Sequence, residues 1–520
     1  MQYIKKLKLT NFKKFRNLEI QLDKELNTLI GDNESGKSSI LQAIEIISSG
    51  SRYKIEYLGL DAILNKEVVN EFLAIQRKKF ENLPELHAEI FLAKDDQDLN
   101  GKYNTDNIEA TGLHLMCIPD DELIKEINDA LINNPDAFPY EFYKVSFLNF
   151  RGESYTSYRR ALRTLLIDNT QINTKHANNE YIKKVFEATT SPTQRALLNY
   201  QYRTAKKSFK SNQLSIINNA VDNYSFDVRS GAKYNLEEDL TLTKDSVPLE
   251  HRGKGQQCFV KTDFALSRNK RTAKIEVLLI EEPENHLSFS NMHKLINNIS
   301  GATIGQKIIA THSSLVSTRL DLRKSFLLGP NNLITPMTLK NLSEDTAKFF
   351  MKAPNNNFLE FALSKKVILV EGDAEYMLLD ALYRNVTGNS YKSDRVTIIS
   401  VGGTSFKRYM EVAKELNIKT AVIIDNDGNF QKNCIERFND YIQKDLINIF
   451  YDDNDNRYTL EVCIFKDNES ICKDLFGKST NQMKSMLNNK SEAAFRLVDK
   501  HKDNINAPDH IKKAIQWIKE

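Results

Sequence analysis

The apolar and polar positions of the chain follow a few recurring patterns. Residues 3–9 alternate, with Ile4, Leu7 and Leu9 set among Lys5, Lys6 and Lys8, and residues 18–22 alternate in the same way. Period-two alternation predicts half-buried strands, here a hairpin. Residues 26–30 are a short apolar strand ending at Gly31, after which Ile40, Leu41, Ile44 and Ile47 recur at helical spacing. The chain therefore opens as strand, strand, strand, glycine turn, helix. A further strand is predicted over 86–92 and a polar loop over 95–106, while the rest of 51–140 is mixed. Residues 155–223 read as helical and rich in Lys, Arg, Asn and Gln, with strand character returning over 224–242. Continuous apolar runs at 277–280 and 307–310 predict buried parallel strands. A polar linker within 341–357, which includes Ala353, Pro354 and Asn355, precedes a second block. There, apolar runs at 366–370, 396–401 and 420–424 alternate with helical patterns, which predicts another parallel sheet.

Length and composition narrow the class. A chain of 520 residues has room for two to four domains. Its net charge of +3 is too mild to establish a nucleic-acid partner, because a basic groove can sit on a nearly neutral protein. Cys117, Cys258, Cys434, Cys463 and Cys472 are scattered and form no CxxC pair. A disulfide framework or a structural zinc site is not expected, and a reducing, cytoplasmic setting fits best. No run is long and apolar enough for a signal peptide or a membrane span, so no membrane partner is expected.

The segment Gly31-Asp32-Asn33-Glu34-Ser35-Gly36-Lys37-Ser38 satisfies GxxxxGK[ST] and lies between a strand and a helix. In that context backbone N–H groups turn toward phosphate oxygens, Lys37 neutralises the β- and γ-phosphates, and the Ser38 hydroxyl can ligate Mg²⁺. Asn33, Gly36 and Ser39 belong to the same loop. The run Val277-Leu278-Leu279-Ile280 delivers Glu281 and Glu282 to a strand end. Glu281 is the candidate magnesium ligand, although an aspartate is usual there, and Glu282 is the candidate base that polarises the attacking water.

These motifs, with Pro283-Glu284-Asn285-His286-Leu287 after them, resemble the EEPExHL run of OLD (overcoming lysogenization defect) and RecF-like ATPases. The resemblance extends to Arg252-Gly253-Lys254-Gly255-Gln256-Gln257, which is similar to an ABC signature loop, and to His312 after the second buried strand. It implies that Gly253, Gly255 and Gln256 reach the γ-phosphate of an opposing subunit and that His312 touches the γ-phosphate of its own. A Q-loop glutamine is not assigned. The signature loop completes a nucleotide site only from a second head, so a homodimer is the minimum, and a homotetramer is compatible.

In the second block, Val367-Ile368-Leu369-Val370 ends in Glu371-Gly372, with Glu375 four residues beyond Glu371. A later strand ends in Asp425-Asn426-Asp427-Gly428. Strands of one parallel sheet end side by side, so Glu371, Asp425 and Asp427 can converge on hard divalent cations. The order resembles a Toprim domain. Thr459-Leu460-Glu461 and Lys490 resemble two later OLD motifs, which implies that Glu461 joins Glu371, Glu375, Asp425 and Asp427 as metal ligands. Lys490 would then stabilise charge on a scissile phosphate.

The resemblance implies an α/β chain of this order: an ABC-type ATPase head (1–155 and 224–345) with a helical, dimer-forming insertion (156–223), then a Toprim nuclease domain (358–520). It implies ATP and Mg²⁺ or Mn²⁺ as cofactors, DNA as substrate, and cleavage or nicking by an endonuclease. OLD proteins include antiphage effectors, such as Gabija-type and retron-associated nucleases, so bacterial defence with a partner protein or noncoding RNA is a further expectation. Basic clusters at Lys5-Lys6-Lys8, Lys13-Lys14-Arg16, Arg159-Arg160-Arg163, Lys206-Lys207-Lys210 and Arg268-Lys270-Arg271-Lys274 are candidate phosphate contacts. Tyr155, Tyr158, Tyr200 and Tyr202 lie near two of them. The competing reading is a RecF- or SMC-like ATPase clamp without nuclease activity. A topoisomerase lacks room for its tyrosine domain here, and a primase lacks its cysteine module.

Overall fold

The computed structural model describes residues 2–156, 161–170, 175–219, 225–229, 235–267, 275–302, 305–329, 336–353, 357–403, 405–443, 445–476 and 482–520. Arg159, Arg160, Tyr158, the whole cluster Arg268-Lys270-Arg271-Lys274 and part of the expected linker lie outside them. The chain divides into two compact units, Met1–His312 with Leu328–Pro336, and Ser313–Leu327 with Met337–Glu520.

The first unit opens with strands β1 (Ile4–Phe12), β2 (Phe15–Gln21) and β3 (Leu26–Gly31), then helix α1 (Lys37–Ser49). It continues through β4 (Leu86–Leu92), β5 (Ala110–Pro119), β6 (Tyr143–Asn149) and β7 (Thr164–Asp168). Helices α2 (Lys175–Thr189), α3 (Pro192–Asn212) and α4 (Lys254–Ser267) follow, then β8 (Val277–Glu281) and β9 (Gln306–Thr311). The expected hairpin forms: β1 and β2 pair antiparallel with Leu7 opposite Ile20 and Leu9 opposite Leu18, all four buried. β4, β5 and β6 extend this antiparallel sheet. The strands β3, β9, β8 and β7 lie in that order as neighbours in a second sheet and are parallel to one another. Helix α1 packs against β4 and β5 of one sheet and β7 and β9 of the other. Its Ile40, Leu41, Ile44 and Ile47, at 0% exposure, are the stripe legible in the sequence.

Two expectations are corrected. The helical stretch 155–223 contains a strand: β7 pairs with β8 along its whole length, with Leu165 and Ile167 buried. Five residues that add an edge to an existing sheet carry too short a pattern to stand out against helical surroundings. The strand character expected over 224–242 is also absent among the described residues. Leu236–Asp239 is instead a helical turn whose N-cap, the Asn235 side chain, accepts from the Glu238 N–H. A capping side chain offers the backbone a local partner that competes with a sheet ladder.

The second unit contains β10 (Lys366–Val370), α5 (Asp373–Thr387), β11 (Val396–Ser400), α6 (Phe406–Leu416), β12 (Lys419–Ile423) and β13 (Ile447–Phe450). Helices α7 (Leu460–Asp467), α8 (Lys490–His501) and α9 (Asp509–Lys519) complete it. The strands form one parallel sheet in the order β11-β10-β12-β13. Both faces are covered, which explains the continuous apolar runs. Val367 and Leu369 face α6 and the phenylalanines Phe350, Phe358 and Phe361. Ile368 and Val370 face α5, α8 and α9.

Candidate functional site

In the first unit, β3 ends at Gly31 and the loop turns back over the start of α1. Gly36 adopts φ +100°, the left-handed region, and a Cβ there would lie 2.4 Å from the Phe15 ring. Only glycine fits that turn. Lys37 is buried, and its ammonium donates to the carbonyls of Gly31 (2.7 Å) and Asp32 (2.9 Å). Burial lowers the Lys37 pKa, opposed by Glu282, Asp32, Glu284 and Glu281. The loop lines a cavity of about 510 Å³ together with Lys13, Lys14, residues 62 and 64–67, and Glu282. Asn33, Gly36, Lys37, Ser38 and Ser39 are all in its wall.

Parallel register puts the ends of β7, β8 and β9 side by side: Glu281 lies opposite Asp168 on one side and Ala310 on the other. Burial raises the Glu281 pKa, while a hydrogen bond from the Ser38 hydroxyl lowers it and Asp168 adds to the rise. Candidate magnesium ligands Ser38 and Glu281 are thus near enough for the Ser38 hydroxyl to act on the Glu281 carboxyl. Glu282 sits at φ +46°, a strained backbone for a non-glycine residue. Burial, then the neighbouring Glu284, pushes its carboxyl up to about 7 against the pull of His312. The His312 Nδ1 lies 2.5 Å from the Glu282 carboxylate, and Glu284 accepts from the Thr311 hydroxyl at 2.6 Å. Glu282, Glu284 and His312 thus form one polar cluster at the strand ends.

Gly253, Gly255 and Gln256 do not line the cavity of their own chain. They sit at the start of α4, where a Cβ on Gly255 would meet the His286 carbonyl at 2.1 Å. The loop after β8 and the start of α4 are therefore in close backbone contact. Sequence reading missed Asp168, hidden by the missed strand; Lys13, expected as a contact to nucleic-acid phosphate, lines the phosphate-loop cavity and is near enough to Glu281 for that charge to oppose its depressed pKa.

In the second unit, Leu369 pairs with Val422, so Glu371 and Asp425 leave neighbouring strand ends. The Glu371 carbonyl accepts from the Gly403 N–H at 3.0 Å, and the Asp427 N–H donates to the Tyr458 carbonyl at 3.1 Å. Asp427 adopts φ +48°, the left-handed conformation that aspartate tolerates better than most residues. Glu375, in the first turn of α5, accepts from the Gly372 N–H at 3.2 Å. Glu461, in the first turn of α7, is 4% exposed, and neither of its carboxylate oxygens has a hydrogen-bond partner. The Lys490 ammonium, at the start of α8, stands 3.1 Å from it.

These groups act on one another electrostatically, while among the described residues no three of the five acids bring their carboxylate oxygens within 4.8 Å of one another. Burial, then Glu375, Glu461 and Glu371, pushes Asp425 up to about 8 despite Lys490. Burial also raises Glu371, with Asp427 the next cause, and raises Glu375, with Glu461 the principal like charge. Burial works to lower the Lys490 pKa, yet Glu461, Asp425 and Glu375 together raise it. Burial and mutual repulsion raise the carboxyls of Asp425, Glu371 and Glu375, and the buried Glu461 carboxylate has Lys490 as its ion-pair partner, so the cluster favours added positive charge. The hard oxygen donors fit a divalent cation of the magnesium class.

Comparison with known proteins gives matches at both ends of the chain. The AAA ATPase domain model matches residues 2–149, and the model "Overcoming lysogenization defect protein-like, TOPRIM domain" matches residues 363–427. The Old nuclease of Escherichia phage P2 is 25% identical over 181 residues, 32% of this chain and 30% of that protein. The DNA replication and repair protein RecF of Clostridium tetani (strain Massachusetts / E88) is 42% identical over 52 residues, 10% of this chain and 14% of that protein. The matched stretches thus take in less than a third of either relative. A solved C-terminal region of the Xanthomonas campestris pv. campestris OLD protein is 19% identical, covering 30% of this chain and 94% of that one with a TM-score of 0.23. The chain joins an AAA ATPase domain to an OLD-like Toprim domain, the build of an OLD-family ATPase–Toprim protein.

Proposed function

We propose that this protein is an ATP-controlled, divalent-metal-dependent endonuclease that nicks or cleaves DNA. The observation that supports the reading is the carboxylate set of the second unit, whose members raise one another's pKa against the opposing pull of Lys490 and Arg437. Glu371, Glu375, Asp425, Asp427 and Glu461 would hold Mg²⁺ or Mn²⁺. When bound, such ions supply a nucleophilic water and neutralise charge on the phosphate under attack. Lys490 would add a fixed positive charge at the same centre.

In the first unit, the backbone N–H groups of Asn33 and Gly36 and the Lys37 ammonium would hold the phosphates of ATP. Ser38 and Glu281 would hold its magnesium. Glu282, with a pKa near neutrality, is suited to take a proton from water, and His312 fixes its carboxylate. Gly253, Gly255 and Gln256 of a second copy would close the site, so the working unit is a homodimer or homotetramer. ATP needs only different affinities for two states of the heads to act as a switch.

Helix α3 supports assembly through the segment 156–223. Its 21 residues include none that is buried, and Leu197, Tyr200 and Phe209 are more than half exposed. Residues 1–155 and 224–345 are read as the ATPase head and 358–520 as the nuclease domain. The kinship with OLD proteins favours antiphage defence in the cytoplasm, with a partner protein or noncoding RNA as trigger. Among the described residues, no helix is long and apolar enough to cross a membrane.

The test is supercoiled plasmid incubated with Mg²⁺ or Mn²⁺, with and without ATP. Metal-dependent nicking is expected in the wild type and a loss of about a hundredfold or more in Asp425→Asn, since removing a ligand should cost no less than the roughly 10–100-fold lost with an outer-shell partner. Intact plasmid under every metal and nucleotide, with ATP hydrolysis preserved, would instead identify a RecF- or SMC-like clamp.

A further inference from the structure

A second cluster of metal-type donors lies in the same unit and takes no part in the reading above. Asp452 follows β13, Cys463 lies on α7 and His510 on the first turn of α9. Their donor atoms all fall within 4.8 Å of one another. The Cys463 Sγ is 3.7 Å and the His510 Nδ1 3.8 Å from Oδ2 of Asp452. Ligand-to-ligand edges of a tetrahedral site with bonds of about 2.0–2.3 Å are about 3.3–3.8 Å. His510 is 6% exposed, and its Nδ1 points into this cluster with no hydrogen-bond partner. Leaving a buried ring nitrogen unpaired is costly unless something else satisfies it.

We propose that Asp452, Cys463 and His510 bind one zinc-class cation, with water as the fourth ligand. Sulfur, imidazole nitrogen and a single carboxylate oxygen form a borderline-soft set, which selects zinc over the magnesium that suits the all-oxygen cluster nearby in the fold. Arg457 bears on the charge balance. Its guanidinium donates to Asp452 at 2.6 Å and bidentately to Asp467 at 2.9 and 2.7 Å. With Cys463 as the thiol, the two carboxylates and one arginine leave a single negative charge. Binding breaks the S–H bond, forms a metal–sulfur bond and releases the proton to solvent. Two positive charges from the ion then balance the thiolate and the residual charge. The Oδ2 atom that accepts from Arg457 keeps a second lone pair for the ion.

The ion would act as a staple. It would tie α9 and α7 to the end of β13, and Asn426 donates to the Asp452 carbonyl at 2.7 Å. That hydrogen bond ends between Asp425 and Asp427, so the staple supports the loop that carries both. The donors are separated by 10 and 46 intervening residues in the sequence, which is why no zinc spacing was visible there.

The experiment uses the full chain, expressed with zinc, treated with EDTA and returned to Mg²⁺ buffer. A single zinc ion per chain is expected to remain, to be lost in Cys463→Ser and in His510→Gln, and to be kept in Asp425→Asn. The cobalt-loaded wild type is expected to show a thiolate-to-cobalt charge-transfer band, which needs no variant to fold. Zinc absent from the wild type together with no such band overturns the site, as does zinc held equally by both variants. Because the readout is metal content and a spectrum, an inactive nuclease leaves this result unaffected.

Discussion

Asp425 carries the clearest consequence at the scale of single residues. Its carboxyl is held up to about 8, first by burial and then by Glu375, Glu461 and Glu371. An unfolded aspartate titrates at about 3.9, so the metal-free native state binds more protons than the unfolded chain between those values. The stabilisation is complete below the unfolded value and is lost as the pH rises through about 8. Thermal melts in EDTA should therefore fall in midpoint from mildly acidic to alkaline pH, and Asp425→Asn should flatten that decline. An equal decline in both proteins would remove Asp425 as its source. Glu371 and Asp425 were readable because each closes an apolar strand run, and Asp427 because it follows Asp425 at DxD spacing. Asp168 was not, because its strand is recognisable only beside β8.

At the scale of elements, the start of α4 and the loop after β8 depend on one contact. A methyl group on Gly255 would lie 2.1 Å from the His286 carbonyl, whereas nothing lies within 4 Å of one on Gly253. Gly255→Ala should cost about 1–3 kcal/mol, the usual range for forcing an extra carbon into a packed contact. It should also depress ATP hydrolysis, because the displaced helix carries the loop meant for the opposing nucleotide. Gly253→Ala should melt within a degree or two of wild type, on the scale of an ordinary surface change. Denaturant titration with an ATPase assay on both variants separates the two cases. The glycine pattern was legible in the sequence, but which glycine is packed was not, since that depends on a backbone carbonyl more than two dozen residues away.

At the scale of the whole molecule, the question is assembly. A long helix with no buried residue and exposed Leu197, Tyr200 and Phe209 is poorly explained in a lone chain. Leu197→Lys combined with Phe209→Glu should shift the sedimentation of the protein toward the monomer and lower ATP hydrolysis with it, since the signature loop would lose its partner. An unchanged oligomer would move the interface elsewhere. By itself the sequence determined what local rules govern. Residues 31–38 had to form a phosphate loop, because strand, glycine turn and helix succeed one another there. The apolar runs had to be buried strands, and their terminal acids had to share one sheet edge. Tertiary structure decided what distant segments do on meeting. It placed β7 beside β8, buried the Glu461 carboxylate beside Lys490, and gathered Asp452, Cys463 and His510. The physical reason is that periodicity and spacing report only on neighbours along the chain. Burial, charge coupling and close backbone contact are set by which surfaces the folded chain brings together.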